Sequence, residues 1–276
     1  MTAVSETHRI FDTGDCRIHY WIGGPPDAPL VVLTPGAFTD HRMFDDQVAA
    51  LQTRYRTLRW DPRGHGCSRP YGRAFATDLA ADDLKSLLDH LGEEQVALVG
   101  QSIGGNISQE MLRRHPRRCW AAVLLGCTCS TIGPTRAERW ALRLFPLLMR
   151  LYPVATFKRI SMEKSAIKAE AQRRLREMIA PLSRGDILAI SGGIAGAVQD
   201  VPGYAIRHPI LISRGEHDAL GNIRRIIPLW LDRDPHSRFT EIPDSGHVAN
   251  CDNPDGFNAV MMAFLDANRP SICTAG

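Results

Sequence analysis

Short apolar runs alternate with amphipathic stretches along most of the chain. Runs such as VALVG and AAVLLG are hydrophobic at nearly every position, which is typical of strands buried on both faces of a sheet. The stretches between them, such as TDLAADDLKSLLDHLG, repeat apolar residues at three- and four-residue spacing and predict helices. This alternation predicts an α/β fold with a mainly parallel central sheet and helices on both faces.

The alternation is interrupted between residues 131 and 199. This segment contains ERWALRLFPLLMRLYP and KAEAQRRLREMIAPL, which both have helical periodicity. Pro146 and Pro153 are expected to break or kink the first of these helices. We interpret residues 131–199 as an inserted helical lid (cap), and residues 1–130 together with 200–276 as the core.

Composition narrows the class of partner. The chain has 276 residues, 44% of them hydrophobic, and is long enough to bury a substantial core. Its net charge of +3 is too balanced to predict attraction of the whole chain to nucleic acid, so we expect a small-molecule substrate. The sequence shows neither a signal-peptide pattern nor an apolar run that predicts a membrane span, and we expect a cytoplasmic protein. Seven cysteines without metal-ligand spacing predict neither a disulfide framework nor a metal site.

The stretch GQSIGGNIS places Ser102 just past the apolar run QVALV and before a predicted helix. Ligand sites in parallel sheets gather at the carboxyl ends of strands. A nucleophile elbow needs small neighbours because its turn is strained, and Gly100, Gly104 and Gly105 provide them. The pattern therefore predicts a nucleophilic serine, although an ordinary glycine-rich turn between a strand and a helix has a similar sequence.

A serine nucleophile needs a general base and a carboxylate that orients the base. On this type of sheet the expected order along the chain is serine, acid, histidine. His247 lies in a turn-rich loop between the last predicted strand and the last predicted helix, and is the predicted base. Asp218 follows the strand in PILISRG and is the predicted acid, with Glu216 and Asp244 as nearby alternatives.

Five segments together resemble the α/β-hydrolase fold superfamily over nearly the whole chain: LTPGAF, DPRGHGCS, GQSIGG, RGEHD and DSGHVANCDNPDGFN. The chain looks most like the cofactor-free esterases, lactonases and perhydrolases, including the 3-oxoadipate enol-lactonases. The resemblance implies an oxyanion hole made by the backbone N–H groups of Ile103 and Ala37, with Phe38 as the alternative to Ala37. Pro35-Gly36 stands where the family usually has His-Gly. No metal or organic cofactor is implied.

Two further groups of polar residues lie near the predicted site. Asp61, Arg63 and His65 cluster in DPRGHGCS at the end of a strand. We interpret this segment as a glycine-rich turn whose charged side chains hold neighbouring loops through charge-assisted hydrogen bonds, rather than as catalytic. His41 follows the predicted oxyanion loop and is either a substrate contact or a residue at the start of a helix. Phe38, within that loop, is also a candidate substrate contact.

The predicted lid carries twelve basic and five acidic residues. This excess would attract an anionic substrate, but it is also typical of the solvent faces of amphipathic helices, which is the interpretation we favour. Trp140, Leu144 and Leu148 lie on the opposite faces. They are candidates to roof an apolar substrate pocket, or to seal the lid against the core.

These features predict a serine hydrolase that cleaves a small to medium carboxylic ester or lactone through an acyl-enzyme. The same triad would also support cleavage of carbon–carbon bonds or perhydrolysis. A non-catalytic small-molecule-binding protein on the same scaffold is the alternative from another class, because a fold does not determine a function. An intact set of serine, acid and histidine argues against that alternative.

Overall fold

The computed structural model describes residues 6–69 and 72–270, and its strands form one sheet of eight. The strands are β1 (Glu6–Asp12), β2 (Arg17–Gly23), β3 (Leu30–Thr34), β4 (Arg56–Trp60), β5 (Val96–Gln101), β6 (Cys119–Leu125), β7 (Ile210–Gly215) and β8 (Arg238–Ile242). Their spatial order is β1-β2-β4-β3-β5-β6-β7-β8. Only the β1–β2 and β2–β4 pairs in this sheet are antiparallel, so the predicted mainly parallel sheet is confirmed.

Ten α-helices accompany the strands in the described part of the chain. They are α1 (Asp45–Leu51), α2 (Thr77–Leu91), α3 (Ile103–Arg114), α4 (Arg136–Leu151), α5 (Val154–Ser165), α6 (Ala169–Ile179), α7 (Arg184–Gly196), α8 (Ile223–Arg233), α9 (Ala249–Asp252) and α10 (Pro254–Ala267). Their alternation with β3 to β8 follows the predicted pattern. None of them is long and apolar enough to cross a membrane.

The central strands are buried on both faces, as their continuous apolar runs predict. Successive side chains of a strand point to opposite faces, and in β5 Leu98 packs into one hydrophobic cluster while Val99 packs into the other. Leu84 of α2 belongs to the first cluster and Phe257 of α10 to the second. The two clusters hold the sheet between helices, and the strand ends that carry the predicted site are fixed by this packing.

Strand β1 was not predicted from the sequence. Most of its residues are exposed, and it lies at the edge of the sheet with β2 as its neighbour. The side chains of an exposed edge strand are not buried against a core, so its sequence does not have to alternate between apolar and polar residues. Its pairing with β2, for example Ile10 opposite His19, supplies the backbone hydrogen bonds.

Helices α4 to α7 all lie between β6 and β7, in the segment predicted to be an insertion. We call residues 131–199 the helical insertion; its role as a separate lid stays a prediction. Helix α4 continues through position 146, so the helix is not broken there, and a kink at this position stays a prediction; the helix does end before Pro153. A proline within a helix costs about 3 kcal/mol. The capping box formed by Thr135 and Glu138, and the burial of Met149, are stabilising features of α4.

Candidate active site

Ser102 lies in a strained turn between β5 and α3. Its φ of 52° is in the left-handed region, which non-glycine residues rarely adopt, and its N–H donates a hydrogen bond to the Leu125 carbonyl of β6 at 2.8 Å. A Cβ atom on Gly100 would lie 2.4 Å from the Gly104 carbonyl oxygen, and one on Gly104 would lie 2.1 Å from the Thr34 carbonyl oxygen. The turn therefore needs glycine at both positions, in agreement with the elbow predicted from the sequence.

His247 and Asp218 form a buried pair. Nδ1 of His247 lies 3.0 Å from Oδ2 of Asp218, and the two residues are 8% and 1% exposed. The other oxygen of Asp218 accepts a hydrogen bond from the Leu220 N–H at 3.0 Å. An ionised carboxylate only accepts hydrogen bonds, so the His247 ring carries its proton on Nδ1 and leaves Nε2 as a base.

The two alternative acids have other partners. Oε2 of Glu216 accepts a hydrogen bond from the Asp244 backbone N–H at 2.9 Å. The Asp244 carboxylate pairs with Lys168 and is mostly exposed. Asp218 is the member of this group that contacts the His247 ring.

Ser102, Asp218 and His247 follow the ends of β5, β7 and β8, which bring the serine and the pair to the same edge of the sheet. Ser102 is hydrogen-bonded to β6, and Gly126, the residue that follows β6, lies against the pair: a Cβ atom there would be 3.2 Å from Nδ1 of His247 and 3.4 Å from Oδ2 of Asp218. In the described part of the chain, no hydrogen bond joins the Ser102 hydroxyl to His247. Such bonds are often long before a substrate is bound.

The predicted oxyanion donors lie on two segments that meet at Ser102. Ile103 is the first residue of α3, and the first N–H groups of a helix have no acceptor within it. Gly36, which precedes Ala37, approaches Ser102 so closely that a Cβ atom on it would lie 3.4 Å from the Ser102 Cβ. Phe38, the alternative donor, has a φ of 65°, so this loop is also strained.

Gln101, which the sequence did not single out, connects the elbow to the histidine loop. Its side chain is buried and donates a hydrogen bond from Nε2 to the His247 carbonyl at 3.0 Å. Its Oε1 lies where a Cβ atom of Gly36 would be, at 2.0 Å. Gln101 therefore fixes the backbone of His247 relative to the serine and leaves room only for glycine at position 36.

Asp252, also missed from the sequence, connects the histidine loop to the helical insertion. Its carboxylate is 7% exposed and accepts hydrogen bonds from three backbone N–H groups: Gly246 at 2.8 Å, Lys168 at 2.9 Å and Ile167 at 3.1 Å. In addition, the Val248 N–H donates to the Ser165 carbonyl at 3.0 Å. Val248 is thus bound directly to the end of α5, and Gly246 is connected to the start of α6 through Asp252.

His41 has protein partners on two sides of its ring. Nδ1 lies 3.0 Å from Oδ1 of the fully buried Asp61, and the ring stacks on Trp21 with 3.4 Å between centroids. Asp61 also accepts hydrogen bonds from the backbone N–H groups of His41 and Cys67. These contacts fit the start of a short helical turn, and contact of His41 with substrate stays a prediction.

Arg63 holds the DPRGHGCS turn against α2. Its buried guanidinium donates to both oxygens of Asp83, at 2.6 Å from Nε and 2.7 Å from Nη2, and also reaches Asp15 at 3.2 Å. His65 is fully buried, with Nδ1 3.2 Å from the Arg63 carbonyl and its ring edge-on to Phe75. The interpretation of this segment as a turn held by charge-assisted hydrogen bonds is confirmed.

The predicted substrate contacts of the helical insertion lie mainly on its outside. Trp140 is 64% exposed, Leu144 45% and Leu148 58%. Leu148 lines a cavity of about 470 Å³ between α4 and α5, whose wall also includes Phe157. The Phe157 ring packs edge-on against Phe38 in the oxyanion loop, with 5.1 Å between centroids.

A mostly parallel sheet with a serine in a strand-to-helix elbow, next to a histidine–carboxylate pair, is typical of the hydrolytic enzymes of the α/β class. The chain belongs to the alpha/beta hydrolase fold family, whose sequence pattern it matches over residues 29–254. The resemblance identified in the sequence is therefore confirmed, and the protein is an enzyme of this family.

Individual relatives differ in activity. The chain is 24% identical over 261 residues to 3-oxoadipate enol-lactonase 2 of Acinetobacter baylyi, which covers 91% of this chain and 94% of the relative. It is 28% identical over 273 residues to haloalkane dehalogenase 2 of Mycobacterium tuberculosis, which covers 92% and 93% of the two chains. Among solved structures, the enol-lactonase from Burkholderia xenovorans is similar with a TM-score of 0.80 at 24% identity, covering 94% of this chain and 100% of that one.

Proposed function

We propose that the protein is a serine hydrolase that cleaves carboxylic esters or lactones. The observation that supports this most strongly is the buried pair of His247 and Asp218, held at the same sheet edge as the Ser102 elbow. A serine hydroxyl, a histidine with a free Nε2 and a buried carboxylate are the groups that acyl transfer requires.

In the proposed reaction, His247 Nε2 takes the hydroxyl proton as the Ser102 oxygen attacks the substrate carbonyl carbon. Asp218 keeps the imidazole in the reactive tautomer and stabilises the imidazolium that forms. The oxyanion accepts hydrogen bonds from the N–H groups of Ile103 and Ala37, at the positive end of the α3 dipole. The protonated His247 then gives its proton to the departing alcohol. Water, activated by the same nitrogen, releases the acid and restores the serine.

The identity of the nucleophile favours acyl transfer over the halide displacement named for one relative. Attack of a serine oxygen on an sp³ carbon that carries a halogen would give an alkyl ether, which water does not hydrolyse under these conditions. Attack of the same oxygen on a carbonyl carbon gives an ester, which the activated water can cleave. Ser102 is therefore suited to repeated hydrolysis of esters or lactones, whereas an alkyl halide would alkylate it irreversibly.

The helical insertion would act as a lid over this site. Its segment between α5 and α6 is hydrogen-bonded to the histidine loop through Asp252, and Phe157 of α5 contacts Phe38 of the oxyanion loop. A substrate bound at Ser102 would then lie between the core and the helical insertion. This arrangement supports the division into a core and a lid.

The test is replacement of Ser102 by alanine, with Ser108→Ala as the matched control. Ser108 lies on α3, the helix that follows Ser102, and its hydroxyl donates to the Gly104 carbonyl at 2.9 Å. With p-nitrophenyl esters and small lactones, kcat/KM of Ser102→Ala should fall at least about 10³-fold, as removal of a triad member does. The control should remain active, and a fluorophosphonate should label the wild type and the control but not Ser102→Ala. A folded wild type that neither labels nor turns over would instead indicate a small-molecule-binding protein.

A further inference from the structure

Helix α4 presents an apolar surface to solvent. Five large apolar side chains on it are between 45% and 81% exposed, and we call them the α4 patch: Trp140, Leu144, Leu147, Leu148 and Leu151. Their spacing of three and four residues places them on one face of the helix. Contiguous apolar patches of this kind on a protein surface are rare and mark sites of interaction.

The opposite face of the same helix is anchored. Met149 is buried in the core cluster, and Phe145 packs against that cluster. At the start of α4, Glu138 forms a two-pronged ion pair with Arg225 of α8, with distances of 2.7 and 3.0 Å. The α4 patch is therefore the outer side of a fixed helix, and the inner side already has its partners.

A row of arginines runs along one side of the patch. Its members are Arg136, Arg139, Arg143 and Arg150, which are all exposed and fall on one face of the helix. None of them takes part in an ion pair within residues 6–69 and 72–270. Arg136 and Arg143 each stand four residues before a member of the patch, so the cations border the apolar stripe directly.

Apolar side chains with a tryptophan, bordered by arginines, match the chemistry of an anionic lipid surface. A helix of this composition lies in the plane of the interface, with its apolar face among the acyl chains and its cations at the phosphate groups. We propose that the α4 patch docks the protein on membranes that contain anionic lipid. This association needs no spanning helix.

The cavity between α4 and α5 adds apolar volume beside the docking face. Leu148 and Leu151 belong both to the patch and to the wall of this cavity, so the cavity borders the docking face. Its volume of about 470 Å³ is within the usual range of small-molecule sites. An acyl chain from the lipid layer would have room to enter this space.

The experiment is sedimentation of the full chain with phosphatidylcholine vesicles, with and without phosphatidylglycerol. The wild type should sediment with the anionic vesicles, less so at high salt, and stay in solution with phosphatidylcholine alone. Leu147→Glu should weaken binding at least about tenfold, since it removes an exposed leucine that would insert among the acyl chains and adds a charge that the anionic lipids repel. Arg150→Ser should weaken it about fivefold, as expected for one arginine near an anionic surface.

Matched controls separate the patch from general effects. Leu229 on α8 is 49% exposed, close to the 53% of Leu147, and Arg176 is an exposed arginine of α6. Leu229→Glu and Arg176→Ser should bind like the wild type, and circular dichroism should show that all four variants are folded. Binding is measured without substrate, so failure here leaves the proposed esterase activity untouched.

Several results would overturn the proposal. The wild type failing to sediment with anionic vesicles is one, and Leu147→Glu binding as tightly as the wild type is another. Equal weakening by Leu229→Glu would place the contact on a different face. A dimer in lipid-free solution that Leu147→Glu dissociates would show that a second copy of the chain covers the patch.

Discussion

Replacement of His65 by asparagine should make the stability of the protein less sensitive to acid. The His65 ring is completely buried, and burial lowers its pKa to about 4 because the imidazolium would lose its hydration. In the neutral ring, the N–H at Nδ1 donates to the Arg63 carbonyl at 3.2 Å. Nε2 has no hydrogen-bond partner among the described residues, so no acceptor at this nitrogen offsets the loss of hydration in the charged form.

The sign of the effect follows from the two pKa values. The unfolded chain has a histidine with a pKa near 6.5, so between this pH and about pH 4 the unfolded state binds a proton that the folded state does not. The contribution of His65 to the free energy of unfolding is therefore fully present above the unfolded pKa and is lost as the pH falls toward the folded pKa. One pKa unit corresponds to about 1.4 kcal/mol, so acidification from about pH 7.5 to about pH 4.5 should cost about 2.5 kcal/mol.

Urea denaturation of wild type and His65→Asn at these two pH values measures the effect. Asparagine can keep a donor toward the Arg63 carbonyl but does not titrate. Its smaller volume destabilises the fold equally at both pH values, so this cost cancels when the free energies of unfolding of one protein at the two pH values are subtracted. The loss of stability on acidification should be smaller in the variant by about 2.5 kcal/mol. His236→Asn, at an exposed position, is the control and should lose as much as the wild type.

Equal acid sensitivity of His65→Asn and the wild type would refute this reasoning. Ester hydrolysis at neutral pH gives a second readout, because a histidine that only packs can be replaced without loss of chemistry. A folded His65→Asn protein with kcat reduced by orders of magnitude would show that the DPRGHGCS turn takes part in the reaction.

Two further substitutions test the site and its connection to the insertion. Asp218→Asn should lower kcat about 10⁴-fold with little change in melting temperature, because the amide favours the wrong tautomer of His247; a loss of stability that accounts for the loss of rate would contradict this. Asp252→Asn removes the charge that three backbone N–H groups share, and should lower the free energy of unfolding by about 2 kcal/mol and expose the chain near Ile167 to limited proteolysis. Proteolysis at the wild-type rate would show that the insertion is held by other contacts.

The central part of the fold was predictable because its determinants are local. Strands β3, β5 and β6 are apolar at nearly every position and are buried along their whole length, so composition alone identifies them. Strand β1 lacked such a signal, since it is stabilised by pairing with β2 rather than by burial of its own side chains. Its existence depends on a partner that only the assembled sheet provides.

The same distinction applies to the candidate site. Ser102, Asp218 and His247 each follow a recognisable strand, and the order of strand ends along the chain is enough to predict that they meet. Asp252 and Gln101 act through hydrogen bonds to backbone groups 85 and 146 residues away. A backbone N–H or carbonyl is present at every position, so no residue type in the sequence marks the partner of such a bond.

Helix α4 shows why the orientation of the insertion could not be read from periodicity. It carries apolar residues on two faces, one with Phe145 and Met149 and the other with Trp140, Leu144 and Leu148. Periodicity predicts the helix from either set but does not say which set turns inward. The structure packs the first set against the core, with Met149 buried and Phe145 partly buried, so the second set faces solvent beside the arginines. Roofing a pocket and docking on a membrane are different roles for this stripe, and Leu147→Glu distinguishes them: as we propose a docking role, it should impair binding to anionic vesicles while the hydrolysis of water-soluble esters continues.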